Sequence, residues 1–228
     1  MTTEQLARSY TSLIKAFQRF PQALWAEACS HSQMQTKAWA VDELTKAKKT
    51  LGIVYIVYGN LGLLGPLLFA ETKLKIKKVR SFDADPTCEP IADQINIEKV
   101  IFDWHYKAIT KDPHDIDYIE HVYDVEKPGG YYDDKKKFIA NKPVTLCEIP
   151  DTIINTSCDQ MHDFKNWWEM IPKGKLVLLQ NNDFQADKST STARSLKIMM
   201  DRSPMTKLMF SGERDYAKYK QFMLIGIK

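Results

Sequence analysis

The sequence predicts an α/β fold of the three-layer, doubly wound kind, with a mostly parallel seven-stranded sheet, a C-terminal antiparallel hairpin and helices before the first strand. Three observations carry that prediction. The first is the run Ile53 to Phe69, IVYIVYGNLGLLGPLLF, in which an unbroken β-branched stretch meets Gly59, Gly62 and Gly65 and turns into a second apolar segment. A buried strand, a tight glycine turn and a helix start with free N–H groups is how a doubly wound fold cradles a nucleotide-like ligand. The second is that apolar runs short enough for strands alternate with segments of helical spacing through the rest of the chain. The third is the short link between MTKLMF (Met205 to Phe210) and the apolar terminus QFMLIGIK (Gln221 to Lys228). A parallel crossover needs about a dozen residues or more, so these two strands are expected to be antiparallel neighbours.

Taken in order, Leu6, Tyr10, Leu13, Ile14 and Phe17, then Trp25, Met34, Ala38, Trp39, Val41 and Leu44, recur at helical spacing from Thr3 to about Lys49. Pro21 and the cluster Ser30-His31-Ser32 mark breaks, and either serine suits an N-cap. Residues 1–50 therefore read as a helical extension or lid, and 51–228 as the core of a single structural domain. Strands are expected near 53–58, 77–82, 106–110, 152–156, 175–180, 205–210 and 220–227, and helices near 63–73, 87–96, 160–170 and 190–202. Residues 113–145, with PGGYYDD at their centre, read as a long irregular loop, which in a compact domain is either functional or mobile. No internal repeat is visible, which excludes a solenoid.

Composition narrows the function classes. The net charge of +3 arises from 32 basic and 29 acidic side chains, so electrostatics give no argument for a polyanionic partner, and the short lysine patches read as solvated faces. Cys29, Cys88, Cys147 and Cys158 are scattered without a CxxC spacing, which suggests reduced thiols in a cytoplasmic protein and no metal site. No segment reaches the roughly 18 uninterrupted apolar residues of a membrane span. A small-molecule substrate is the expected partner, and oligomeric state is open.

Four pieces together resemble the class I S-adenosylmethionine-dependent methyltransferases over residues 52–228. YGNLGLLG (Tyr58 to Gly65) resembles the family's glycine-rich first motif, and VRSFDADP (Val79 to Pro86) its second, with an acid ending strand two. KAITKD (Lys107 to Asp112) looks like the third and IINTSC (Ile153 to Cys158) the fourth. The resemblance implies S-adenosylmethionine as cofactor, held by Tyr58, Gly59, Asn60, Gly62, Asp83, Ala84, Asp112, Asn155, Thr156 and Ser157. Asp83 also has a reading of its own, since it follows Gly59 at close to the ~20-residue offset at which a strand-end carboxylate accepts ribose hydroxyls. Asp85 and Pro86 suit a helix entry, and both roles are compatible. Asp112 is placed to reach an adenine amine or to open a turn before Pro113, and Asp103 and His105 compete for the first role. The first motif departs from the family at Val57, where an acidic residue is common; either another acid, with Asp159 a candidate by position, or backbone carbonyls hold the methionine amino group, or the donor is bound unusually.

In an open α/β sheet, ligands sit beyond the carboxyl ends of the strands. That places Asp159 and His162, then His31, as candidate bases, and Lys37, Trp39, Gln180 and Asn182 as tentative substrate contacts, with Gln33 on the same helix. Methyl transfer is an in-line displacement at an activated carbon, so alignment and water exclusion supply most of what is needed. Strand four lacks the proline-aromatic clamp for a flipped base, and Cys158 follows Ser rather than Pro, against a cytosine-directed thiol nucleophile. Trp167 and Trp168 suit packing on the sheet, and Tyr131 and Tyr132 suit a pocket wall. Transfer of an aminocarboxypropyl group from the same cofactor, a nicotinamide-dependent oxidoreductase, and a non-catalytic binding protein of the same fold are the alternatives. The GxxGxxG spacing and the terminal hairpin argue against the oxidoreductase.

Overall fold

A computed structural model describes residues 3–101, 104–125, 130–132, 138–140, 144–184 and 191–228. Three helices lead in: α1 (Thr3–Arg19), α2 (Trp25–Ala28) and α3 (His31–Ala47). There follow β1 (Thr50–Val57), α4 (Leu64–Ala70), β2 (Lys75–Asp83), α5 (Cys88–Ile95), α6 (Ile97–Ile101) and β3 (Tyr106–Thr110). A β-rich insertion then supplies β4 (His121–Val125), β5 (Gly130–Tyr132), β6 (Phe138–Ala140) and β7 (Val144–Glu148). The chain finishes with β8 (Thr152–Asn155), α7 (Phe164–Met170), β9 (Leu176–Asn182), α8 (Leu196–Arg202), β10 (Lys207–Asp215) and β11 (Lys220–Ile227).

Seven strands form one sheet in the order β10-β11-β9-β8-β1-β2-β3. β1 runs parallel to β2 and β8, β2 to β3, and β8 to β9, whereas β11 enters between β9 and β10 and is antiparallel to both. The expected doubly wound sheet and closing hairpin are therefore present. The order reverses between β1 and β8, which is where such sheets open a crevice beyond the strand ends.

Alternation along the strands divides the core. In β1, Val54 and Ile56 turn to a layer with Trp39, Leu44, Leu64 and Leu68 of α3 and α4, while Tyr55 and Val57 turn to a layer with Phe164, Trp167 and Met199 of α7 and α8. Both faces are covered, which is why the strands read as continuous apolar runs. A third cluster joins Ala16, Trp25, Leu61, Leu63, Ile91 and Ile95, seating α1 and α2 on the glycine turn and α5.

Several boundaries differ from the expectations. The stretch 113–145 is not one irregular loop: β4 pairs with β7 and β5 with β6, both antiparallel. The β4–β7 pair is fixed to the main sheet by a buried cluster. Fully buried Arg80 of β2 places Nε and Nη2 2.7 Å from the Glu148 carboxylate, and its Nη1 donates to the carbonyls of Val79 and Trp104. Lys78 Nζ lies 2.7 Å from the same carboxylate, and Tyr123 donates to it as well. Tyr55 reaches the Glu148 carbonyl, and His121 stacks on Tyr123 and meets Phe82 edge-on. α7 begins at Phe164 rather than near 160, because Cys158–Gln160 form a separate 3-10 turn and Asp163, at φ 45°, caps the helix through the Asn166 amide. α8 likewise starts late, at the Ser195 cap. Asp103 and most of PGGYYDD fall outside the described residues.

Candidate functional site

Beyond Val57 the chain turns through left-handed backbone at Tyr58, Asn60 and Gly62 (φ 53°, 49° and 75°). Hydrogen bonds pin the turn: Gly59 N donates to the Phe82 carbonyl at 3.0 Å, and Gly62 N to the Gly59 carbonyl at 2.9 Å. The glycine spacing answers to the protein's own packing. A Cβ on Gly59 would lie 1.8 Å from Ser81 Oγ, one on Gly62 2.6 Å from the Ala92 Cβ, and one on Gly65 2.4 Å from Asn96 Oδ1. Asn96 Nδ2 donates to the Gly62 carbonyl at 3.1 Å, so α5 and β2 press directly on the loop. The glycines thus leave room for Ser81, Ala92 and Asn96, a packing requirement that sequence did not reveal.

Asp83 ends β2 beside this turn. Its Oδ2 accepts from the Asn60 amide at 2.9 Å and its Oδ1 from the Asp85 amide at 3.1 Å. Burial raises its pKa above the ordinary carboxylate value, although those amide hydrogen bonds oppose the rise. Ala84 is exposed beside it, and Asp85 accepts from Thr87. Tyr58 stands across the turn, where burial and then the charges of Asp112 and Asp83 push its phenol up and the His162 main-chain amide donates to it. Tyr58 thus lies within electrostatic reach of Asp83 and Asp112 and of the main chain at His162. Asp112 opens the 3-10 turn Pro113–Asp115, accepting from the His114 amide at 2.8 Å, so the turn role read from sequence is realised.

After β8, buried Asn155 folds back on its own turn: Oδ1 accepts from the Ser157 amide at 2.9 Å, and Nδ2 faces Met161 Sδ. Thr156 and Ser157 are half-buried on that turn. Cys158 is fully buried and burial drives its thiol well above the usual range, which removes it as a nucleophile. Asp159 is buried, its pKa raised by desolvation, with a hydrogen bond from Asn182 opposing. His162 and His31 are exposed.

The first turns of α3 carry a polar, partly exposed side next to its buried face. Lys37 donates to Gln33 Oε1 at 3.1 Å, and burial lowers its amine to about 8, with Cys29 opposing. Buried Gln180 donates to the Thr36 carbonyl at 3.1 Å, while Gln180 Oε1 and Thr36 Oγ1 have no partner among the described residues. Thr36 was missed from sequence; its spacing of three from Trp39, on the buried face of the helix, was the available signal. Trp39 does not join this group. Residues two apart on a helix point about 200° apart, and Trp39 is 2% exposed, edge-on to Phe210 with Arg214 over its ring. It is a core residue, which corrects the expectation of a substrate contact. Val57 is fully buried in the layer under α7 and α8, so a carboxylate there would lack water and partners.

A cleft of about 1,730 Å³ opens between α7 and α8 and shares only His162 with the residues above. The glycine turn and Asp83 lie instead at the carboxyl ends of β1 and β2, next to the strand-order reversal. Among the described residues no group of three or more His, Cys, Asp or Glu is arranged for a metal, and no helix is long and apolar enough to cross a membrane.

The sheet order, the lone antiparallel strand β11 and the glycine turn define the class I S-adenosylmethionine-dependent methyltransferase fold. Solved structures with this fold include a putative sarcosine dimethylglycine methyltransferase from Galdieria sulphuraria (TM-score 0.55, 8% identity, 86% of each chain). A second is the 1,6-didemethyltoxoflavin-N1-methyltransferase of Burkholderia thailandensis with S-adenosylhomocysteine (TM-score 0.53, 10% identity, 100% of this chain and 92% of that one). A third is magnesium protoporphyrin IX methyltransferase from Synechocystis PCC 6803 with bound S-adenosylmethionine (TM-score 0.50, 13% identity, 87% and 84%). No protein-family model matches the chain, and neither does any curated protein sequence.

Proposed function

We propose that this chain is a cytoplasmic methyltransferase that uses S-adenosylmethionine to methylate a small-molecule acceptor. The observation that carries the reading is Asp83, a desolvated carboxylate at the end of β2, held by the Asn60 amide of the glycine turn beside the strand-order reversal. That is where ribose hydroxyls need an acceptor. Solved structures of this fold with bound S-adenosylmethionine or S-adenosylhomocysteine support the choice of cofactor.

In this reading Tyr58, Gly59, Asn60, Gly62, Asp83 and Ala84 surround the adenosine half and Asp112 faces the adenine amine. Asn155, Thr156 and Ser157 line the methionine side, where Asp159 replaces the acid that Val57 cannot supply. The cofactor supplies a methyl carbon already activated on sulfur. The chain's own part is to align an acceptor and exclude water, for which residues 1–50 form the cover. Lys37 and Gln180 on facing elements, with Asn182 beside Asp159, contact the acceptor. Asp159 or His162 takes a proton when the acceptor must lose one; burial makes Asp159 the stronger base of an acid otherwise too weakly basic.

Calorimetry with S-adenosylmethionine, S-adenosylhomocysteine and NAD tests the reading. Binding of either sulfur nucleotide at a hundredfold excess over Kd raises stability by about 2.7 kcal/mol. Asp83→Asn should weaken that binding by about tenfold to a hundredfold, the loss of one charge-assisted hydrogen bond. Binding of NAD alone would overturn the assignment. Mass spectrometry of the by-product separates methyl transfer, which leaves adenosylhomocysteine, from aminocarboxypropyl transfer, which leaves methylthioadenosine.

A further inference from the structure

The lysine patches that read as short solvated faces in sequence meet in the fold. β1 begins just after Lys48 and Lys49, and β2 begins at Lys75, with Lys73 before it and Lys77 after it. Thr50 pairs with Lys75, and the Lys75 amide donates to the Lys49 carbonyl at 2.7 Å, so the two patches abut. β9 begins just after Lys173 and Lys175, and β10 at Lys207, at this same amino end of the sheet, where antiparallel β11 finishes beside Lys228.

All of these side chains are exposed except Lys175 and Lys228, which are half-buried. Lys228 is held by the main-chain carbonyls of Trp168 and Ile171, and the others pair with no carboxylate among the described residues. The acids interleaved with them are turned to main-chain amides: Asp151 accepts from Ile53 at 2.8 Å, and Glu71 from Lys73 at 2.8 Å. The net charge of only +3 therefore conceals a separation, with free lysines at one end of the sheet and Asp83, Asp85, Asp112 and Asp159 gathered at the other.

We propose that the amino end of the sheet docks the phosphodiester backbone of a nucleic-acid duplex, DNA or RNA. From β10 to β2 the basic row crosses six strands about 4.8 Å apart, about 24 Å in all. Duplex DNA carries one negative charge per about 1.7 Å of its axis, so a row of this length faces about seven base pairs. Lysine alone makes up the row; it meets phosphates as a point charge, whereas reading a base edge takes a fork such as that of arginine. The contact is accordingly independent of sequence. Single strands are gripped by aromatic rings, and a membrane surface by inserted apolar or aromatic side chains. The exposed aromatic residues, Tyr10, Phe17 and Phe184, stand elsewhere, on α1 and past the carboxyl end of β9.

Fluorescence anisotropy of the full chain with short labelled DNA and RNA duplexes tests the proposal. With about five lysines in contact, the logarithm of the binding constant should fall with that of salt at a slope of about −4.5, a loss of about 500-fold between about 50 and 200 mM. Lys49→Gln/Lys75→Gln/Lys77→Gln should flatten the slope to about −2 and reduce that loss to about tenfold, at an unchanged melting temperature because all three side chains are exposed. Lys15→Gln/Lys197→Gln/Lys218→Gln, which removes the same charge from exposed positions elsewhere, should bind as the wild type does. This pattern with either duplex supports the proposal. Binding of neither duplex at about 50 mM salt overturns it. So does equal weakening by the two triple variants, a slope near zero, or capture by anionic phospholipid vesicles in place of both duplexes. These outcomes are independent of cofactor binding, since Asp83 and the glycine turn lie at the opposite end of the sheet.

Discussion

Replacing Glu148 with Gln removes the negative charge on which the buried Arg80 guanidinium rests. Arg80 is fully buried, and its Nε and Nη2 are each 2.7 Å from the carboxylate, as is Lys78 Nζ. Each hydrogen bond to a charged group contributes about 1.5–3 kcal/mol, but the glutamine oxygen retains one acceptor and Arg80 keeps the carbonyls of Val79 and Trp104. The net cost should therefore fall at about 3–4 kcal/mol, within the range for breaking a buried pair. Against a total stability of about 5–15 kcal/mol this is large. Urea unfolding followed by tryptophan fluorescence reads it directly; with a slope of about 2–3 kcal/mol per molar, the midpoint drops by about 1–2 M. The double variant Arg80→Met/Glu148→Leu should recover part of the loss, because it removes the buried guanidinium together with its partner and leaves only the partly exposed Lys78 unpaired. Burial alone would raise the Glu148 pKa, yet hydrogen bonding and charge from Arg80, with Lys78 and Tyr123, hold it below 4.5. Its contribution is accordingly complete above about pH 4.5 and fades as pH falls through the folded value. A loss under about 1 kcal/mol, or a double variant worse than Glu148→Gln, refutes this account.

Three further outcomes follow from the site. Gly62→Ala combines a left-handed backbone with a Cβ 2.6 Å from Ala92 and should cost about 2–4 kcal/mol in chemical unfolding, whereas Gly174→Ala, at φ 86° with open space around it, should cost only about 1 kcal/mol. Lys37→Met should raise the melting temperature at pH 7, by about 1–2 kcal/mol of stability. The amine is lowered from 10.5 to about 8, so it is charged in both states below pH 8 and the fold carries the burial penalty; the advantage of methionine shrinks between pH 8 and 10.5. Alkylation kinetics should show the Cys158 thiol unreactive in the native protein while Cys147, which is exposed, reacts.

Most of the sheet was legible because its strands are buried on both faces and so read as apolar runs. β3 and β11 match their expected spans, and β1, β2, β8 and β9 differ at their ends by three residues or fewer. β10 runs to Asp215, past its expected end at 210, because its second half is SGERD on an edge and pairs through its backbone with Lys220 to Leu224. The β4–β7 pair had no local signature: what holds it is Arg80 to Glu148, 68 positions apart, and no window of sequence contains both. At the site, Asp83 and the glycine turn were legible since a strand end and its turn lie within one short segment. The inward and outward faces of α3 were not separated, which set Lys37 and Trp39 on one side when the helix sends them apart.

The strand-order reversal has a kinetic side. β1 meets β2 after a short excursion of chain, but it meets β8 only across a loop of about a hundred residues, with Ile53 bonded to Asp151 and Leu51 to Thr152. Closing a long loop is entropically dearer and slower than closing a short one. β1, β2 and β3 with their helices form a unit that can assemble from local contacts, and the seam to β8 waits for the distant half of the chain. The β1–β8 seam is thus the strand pairing of this sheet with the longest intervening chain, so a nucleotide bound across it would act as a clamp on the native state, slowing the reopening of the seam where the two halves join.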